Sequence, residues 1–142
     1  MARTTILLAA LVVLVGCGAK KPASPEQVAR DWSAALDRND NEAAARLFDT
    51  GAQVVQNTEF VFSTHADAVR WNAALPCGGK ITSVSQPNAT DVLVVFTLEN
   101  RPQHACDAPG QQAAALFRVR GGKIVLWHQT VVPPAAGGGT TV

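Results

Sequence analysis

The segment from Thr90 to Glu99 constrains the fold of this chain more than any other part of the sequence. Successive side chains of a strand point to opposite faces, so apolar residues at both even and odd positions make both faces apolar. The even positions are Val92, Val94, Phe96 and Leu98, and the odd positions include Leu93 and Val95. We therefore predict an interior strand of a sheet that is covered on both sides.

Other periodic segments surround this strand in a definite order. Helices are predicted from Ser24, where a capping box with Gln27 begins an amphipathic helix of about 14 residues, then over 42–48, closed by Gly51, and from Thr64 to Leu75. Two short strands, 53–56 and 59–62, lie between the second and third helices. Strands 80–86, 113–120 and 124–131 complete a four-stranded antiparallel meander with the strand 90–99.

The N-terminal residues have the pattern of a secretory signal. Arg3 precedes an apolar run over 6–15, which is too short for a bilayer that needs about 20 residues. The run ends in Leu14-Val15-Gly16-Cys17, which resembles the bacterial lipobox. The resemblance implies a lipoprotein signal peptide over 1–16, lipidation of Cys17 and a tether over 17–23. It places the protein on the extracytoplasmic face of the cell membrane, held there by acyl chains.

Composition limits the remaining classes of protein. The chain has 142 residues, 12 Lys and Arg against 11 Asp and Glu, and 47% hydrophobic residues. The charge balance leaves no basic field for nucleic acid, and the apolar fraction is too high for a disordered chain. One domain over 24–131 is expected, and the segment 132–142, rich in Pro and Gly, is expected to be a disordered tail.

The helical opening 24–48, the helix Asp67–Leu75 and the ending Gly121-Gly-Lys-Ile-Val-Leu-Trp127-His together resemble the nuclear transport factor 2-like superfamily, in particular its SnoaL-like branch. The resemblance covers residues 24 to 131. It implies an α+β fold in which a strongly bent antiparallel sheet wraps the long first helix as a cone and leaves a pocket at the open end.

With Cys17 assigned to lipid, Cys77 and Cys106 remain, in a compartment where disulfides persist. Whether these two thiols meet depends on the fold. The meander that the resemblance implies brings both to one end of the sheet, and so implies a Cys77–Cys106 disulfide. The alternative is a metal site of Cys77, His104, Cys106 and Asp107, which no paired ligand spacing supports. We predict no metal and no cofactor.

The resemblance also nominates residues for the pocket, namely Trp32, Trp71, Phe96, Trp127, His128 and Gln129. Ketosteroid isomerases of the superfamily use a Tyr hydroxyl beside a protonated acid, and this chain has no Tyr. Epoxide hydrolases of the superfamily commonly have an acid in a Trp-Arg-Asp stretch, where this chain has Gln129, which cannot take a proton from water. His128 and Asp91 remain as candidates for a general base of the kind that polyketide cyclases use.

Two functions stay open on the sequence. The first is a membrane-anchored lipoprotein whose cone domain binds a small apolar ligand or an envelope protein without catalysis. The second is a cyclase or isomerase that uses His128 or Asp91. The resemblance allows a homodimer through the convex face of the sheet. The sequence leaves open which face of the strand 124–131 lines the pocket.

Overall fold

A computed structural model describes residues 18–134 of the chain. The predicted signal peptide 1–16, the predicted lipidation site Cys17 and the part of the predicted tail after residue 134 lie outside the described residues. Residues 131–134, which open the predicted tail, have no regular secondary structure.

Within residues 18–134, three helices and six strands form the domain. In chain order they are α1 (Pro25–Asp37), α2 (Asn41–Arg46), β1 (Phe48–Gln56), β2 (Thr58–Val61), α3 (His65–Ala74), β3 (Cys77–Ser85), β4 (Asp91–Asn100), β5 (Gln112–Arg120) and β6 (Lys123–Thr130). The α+β class and the order of elements agree with the prediction.

The six strands form one curved, unclosed sheet with the order β2-β1-β6-β5-β4-β3. The prediction of an antiparallel sheet is wrong in one place, because β1 pairs with β6 in parallel. The strands β3 to β6 form the predicted meander, and β1 reaches its last strand from the far side. A sequence pattern shows which strands are neighbours along the chain, but it does not show that β1 returns to β6.

Two helix starts follow from capping. The Ser24 hydroxyl accepts a hydrogen bond from the Gln27 N–H, but the Gln27 side chain donates to Asp31 instead of returning to Ser24. The predicted capping box of α1 is therefore only half formed. Thr64 and Asp67 form the full reciprocal box at the start of α3.

The second helix is shorter than predicted, because Phe48 already belongs to β1. Gly51 does not close that helix. It lies inside β1 with φ +85°, where the register of β1 against β6 shifts between Phe48 and Gln53. Such a bulge bends a strand, and glycine adopts the required positive φ without strain.

The three helices and the concave face of the sheet enclose one hydrophobic core. Val92, Val94 and Phe96 of β4 are buried there, as the alternation predicts. The opposite face of β4 differs from the prediction, because Leu93 is only half-buried although Val95 is buried. β4 is an interior strand, with β3 and β5 beside it.

Candidate functional site

A cavity of about 410 Å³ opens at one end of the sheet, beside the C-terminal end of α1. Strands β4 and β6 end there and strands β3 and β5 begin there, because these neighbours are antiparallel, and β1 ends there because it is parallel to β6. We call this end of the domain the mouth. Its floor is aromatic, made by Trp32 of α1, Phe96 of β4 and Trp127 of β6.

Close packing of aromatic rings fixes this floor. The Trp32 ring lies 6.3 Å from Phe96 and 6.0 Å from Trp127, centroid to centroid. Its indole N–H donates to the Oδ1 atom of Asn72 at 2.9 Å, and Asn72 donates in turn to the carbonyl of Ala68. Trp32 is therefore held in one orientation between the core and the cavity.

Two of the predicted pocket residues lie elsewhere. Trp71 packs behind the floor, 5.0 Å from Trp127, and does not line the cavity. His128 points to the other side of the sheet, where it lines a shallower groove together with Glu59 and Val55. The face of β6 that the sequence left open is thus the one with Trp127 and Gln129.

A bulge in β6 places Ile124 and Trp127 on one face, although strict alternation would put them on opposite faces. Val119 pairs with Ile124 but Arg118 pairs with Leu126, so one residue of β6 is left over. The extra residue turns Ile124 to the same face as Trp127, and both are buried.

Trp127 also brings an unused hydrogen-bond donor to the site. Its side chain is only 6% exposed, and its indole nitrogen has no partner among the described residues. Buried donors are almost always paired in proteins. An unpaired indole N–H in a residue that lines a cavity is a group that a ligand oxygen could satisfy.

The rim of the mouth is formed largely by uncharged amides. Gln56 and Asn57 come from the β1–β2 turn, Gln111 and Gln112 from the start of β5, and Gln129 from the end of β6. Apart from the disulfide-bonded Cys77, Asp107 is the only residue with an ionisable side chain among the described residues that line the cavity. Sequence reasoning missed all of these amides except Gln129, because they become neighbours only when the strand ends meet.

The prediction that Cys77 and Cys106 form a disulfide is confirmed. The bond joins the start of β3 to the β4–β5 loop at the edge of the mouth, where the carboxylate of Asp107 lies 3.3 Å from the Cys77 sulfur. The alternative metal site loses two ligands, because sulfurs that are bonded to each other are not thiolates. His104 is not part of the close cluster of Cys77, Cys106 and Asp107.

Gly78 allows α1 to end against β3, and Gly79 allows Phe96 of β4 to pack closely on β3. A β-carbon at Gly78 would lie 2.4 Å from the Oδ1 atom of Asp37, and one at Gly79 would lie 3.0 Å from the β-carbon of Phe96. The same Oδ1 atom accepts a hydrogen bond from the Gly79 N–H at 3.0 Å. Burial raises the pKa of Asp37, and the Gly79 hydrogen bond opposes that shift.

Asp91, a candidate general base, lies at the opposite end of the sheet. Its carboxylate accepts two hydrogen bonds from Arg118, at 2.8 and 2.9 Å. The Arg118 hydrogen bonds, helped by Asn88 and Thr90, hold the pKa of Asp91 well below its usual value. A carboxylate held in this way is a poor proton acceptor, and it does not line the cavity.

Arg101 is a buried residue near the mouth whose structural role the sequence did not predict. Its guanidinium donates to the carbonyls of Asn72 and Leu75 and to the side-chain oxygens of Asn39 and Asn41. It therefore ties the end of α3 to the turn after α1. An isolated Arg in a loop gives no sequence signal for such a role.

No family model matches the chain, and no curated protein matches it. Solved structures do match, at low sequence identity. A nuclear transport factor 2-like protein of unknown function from Cytophaga hutchinsonii superposes with a TM-score of 0.64 and 12% identity, over 79% of this chain and 93% of the other. A candidate polyketide cyclase from Sinorhizobium meliloti has a TM-score of 0.60 and 15% identity, over 73% and 94%.

A third structure is a protein with a ketosteroid isomerase-like fold from Catenulispora acidiphila, solved in complex with trimethylamine. Its TM-score is 0.61 at 18% identity, over 77% of this chain and 87% of the other. Together these likenesses show that the chain has the nuclear transport factor 2-like fold. In the described residues, helices are either too short or too polar to cross a membrane.

Proposed function

We propose that this protein is a membrane-anchored, extracytoplasmic lipoprotein whose cavity binds a small, uncharged and largely apolar molecule without catalysis. The observation that carries the binding function is the composition of the cavity. An aromatic floor of Trp32, Phe96 and Trp127 is surrounded by an uncharged amide rim. Apolar cavities with a few hydrogen-bonding groups are the usual form of small-molecule sites.

The position of the two candidate bases supports binding over catalysis. A general base must lie within hydrogen-bond reach of the proton that it removes. His128 faces the shallow groove on the other side of the sheet, and the carboxylate of Asp91 is occupied by Arg118. The cavity therefore offers its ligand aromatic contacts and hydrogen bonds, and Asp107 at its edge is the one carboxylate among the described residues that line it.

The experiment that tests the binding function is a titration with 2-decalone, a neutral bicyclic ketone that does not absorb where tryptophan emits. Trp32 and Trp127 line the cavity, so their fluorescence reports occupancy directly. We expect saturable binding with a Kd below about 1 mM.

A cavity-filling variant supplies the control. Ala113 lines the cavity and pairs with Phe96, so Ala113→Phe places a second ring over the floor. We expect Ala113→Phe to weaken binding at least tenfold. Ala66→Phe makes the same change on the exposed surface of α3 and should bind like the wild type. Equal binding by all three chains would refute the assignment of this cavity.

The anchor is proposed from the lipobox resemblance and is tested separately. The intact mass of protein purified from bacterial membranes should show an acylated chain that begins at Cys17. The Cys17→Ala variant should lack the acyl mass and leave the membrane fraction. An unmodified wild-type chain would contradict the anchor and leave the binding proposal standing.

The proposed envelope partner and the homodimer stay predictions. A row of half-buried side chains crosses the outer face of the sheet from strand to strand. Its members, which pair in register, are Leu93, Leu116, His128 and Val55. We propose this row as the contact surface for either partner. A monomeric mass of the wild type in solution would argue against the homodimer, and a dimeric mass that Leu116→Asp leaves unchanged would argue against this row as its contact surface.

A further inference from the structure

The segment that leads to the proposed anchor lies against the end of the domain opposite the mouth. Pro22 and Ala23 contact the β5–β6 turn, where a β-carbon at Gly122 would lie 3.5 Å from both Ala23 N and Pro22 Cβ. The β3–β4 turn ends on the same side, since Val119 N–H donates to the carbonyl of Thr90. We call this end, made by residues 20–23, 87–90 and 120–123, the tether pole.

Helix α1 runs from the tether pole to the mouth, so its length gives the distance between the two ends of the domain. It starts at the tether pole directly after Ser24, and Asp37 at its other end bonds to Gly79 at the mouth. Its 13 residues span about 20 Å. The five residue-to-residue steps from Cys17 to Pro22 extend at most about 17 Å. With Pro22 against Gly122, the tether is shorter than the domain is long, so the mouth cannot point directly at the membrane surface.

Charge distinguishes the two ends in the same sense. The tether pole has four exposed basic residues, Lys20, Lys21, Arg120 and Lys123. Among the described residues that line the cavity, Asp107 has the only free ionisable side chain. At the same end Glu99 of β4 and Arg38 after α1 are exposed, so the mouth has no excess of basic charge. An anionic lipid surface attracts Lys and Arg, each strengthening attachment about fivefold, and repels carboxylates.

We infer that the tether pole docks on an anionic lipid surface and that the cavity opens away from the membrane, so that its ligand arrives from the aqueous side and is not a lipid drawn from the bilayer. This inference rests on the proposed anchor at Cys17. The uncharged amide rim supports this orientation. A mouth that took up lipid from the bilayer would need apolar residues around it to enter the membrane interface.

Photo-crosslinking from two matched positions tests the orientation. Ala89 lies at the tether pole and Ala105 in the disulfide-bonded loop at the mouth, and both are exposed alanines. Each is replaced in turn by p-benzoylphenylalanine in the acylated full chain, reconstituted in vesicles of three parts phosphatidylcholine to one part phosphatidylglycerol. Lipid adducts are then counted by mass.

We expect at least tenfold more lipid adduct from position 89 than from position 105. Arg120→Gln combined with Lys123→Gln should lower that ratio, and so should vesicles of phosphatidylcholine alone. Arg70→Gln combined with Lys80→Gln removes the same charge elsewhere and should leave the ratio unchanged. Equal or greater lipid labelling at position 105 would overturn the inference.

Failure of the anchor is distinguishable from failure of the orientation. A chain without an acyl mass contradicts the anchor, and the labelling is then measured after its Cys17 thiol is coupled to a maleimide-bearing lipid in the same vesicles. If crosslinking at position 89 in whole cells yields an acidic protein and no lipid, the pole binds a protein and the lipid assignment is wrong.

Discussion

Among single residues, Arg101 has the greatest structural role at the mouth. Its side chain is buried and donates to four acceptors from α3 and from the turn after α1. Burial lowers the pKa of Arg101, and the nearby Asp37 carboxylate opposes that shift. Such a group stabilises the fold only while its partners remain in place.

We predict that Arg101→Met lowers the free energy of unfolding by about 3 kcal/mol, because buried carbonyl and amide oxygens lose their donors. Chemical denaturation measures the loss. The control is Arg70→Met, which removes an exposed ion pair with Asp67 and should cost less than about 1 kcal/mol. If the two substitutions lowered the free energy of unfolding equally, the hydrogen bonds of Arg101 would not have the structural role proposed for them.

Asp91 gives the fold a pH dependence. Because Arg118 holds the pKa of Asp91 below its usual value, the folded state favours the ionised carboxylate. The resulting stabilisation is fully present above the unfolded pKa of about 3.9 and is lost as the pH falls towards the lower pKa of the folded state.

We predict that Asp91→Asn destabilises the protein by about 2 kcal/mol at pH 7 and that its difference from the wild type shrinks below pH 4. Denaturation curves at pH 7, 5, 4 and 3 measure this. A difference that is constant over the whole range would mean that the ion pair does not contribute to stability.

At the scale of elements, the disulfide joins β3 to the loop between β4 and β5. It closes a loop between residues separated by 29 positions, which stabilises the fold by about 3.5 kcal/mol in the chain-entropy account. We predict that Cys77→Ser combined with Cys106→Ser lowers the unfolding free energy by about that amount. Adding a reductant should destabilise the wild type similarly and leave the double variant unchanged. A reductant-insensitive wild type would contradict the bond.

The elements also show which features the sequence could predict. The strands β3 to β6 and the caps of α1 and α3 follow from alternation and from local hydrogen bonds. The parallel pairing of β1 with β6 and the bulge near Leu126 depend on contacts between distant segments, so local patterns do not contain them. The family resemblance was enough to nominate Trp32, Phe96 and Trp127. The amide rim could not be predicted, because its residues become neighbours only when distant strand ends meet.

At the scale of the whole molecule, the bulges in β1, β3 and β6 bend the sheet around α1, and the cavity is the space that the curved sheet leaves at one end. The fold itself does not determine what enters that space, because one fold supports many functions. The lining determines the prediction: among the described residues Asp107 at the edge has its only free ionisable side chain, so an anionic ligand would lose its hydration and meet a like charge.

The proposal that the cavity binds an uncharged molecule is tested most directly with three ligands. They are 2-decalone and its analogues that carry a carboxylate or an ammonium group in place of the ketone. All three have the same apolar body and differ in charge. We predict that the neutral ketone binds the wild-type chain at least tenfold more tightly than the carboxylate and no more weakly than the ammonium compound, whose one charge partner among the described lining residues is Asp107 at the edge, and that Ala113→Phe abolishes the preference for the ketone over the carboxylate. Tighter binding of the carboxylate or the ammonium compound would contradict an uncharged ligand and with it the proposed function of the cavity.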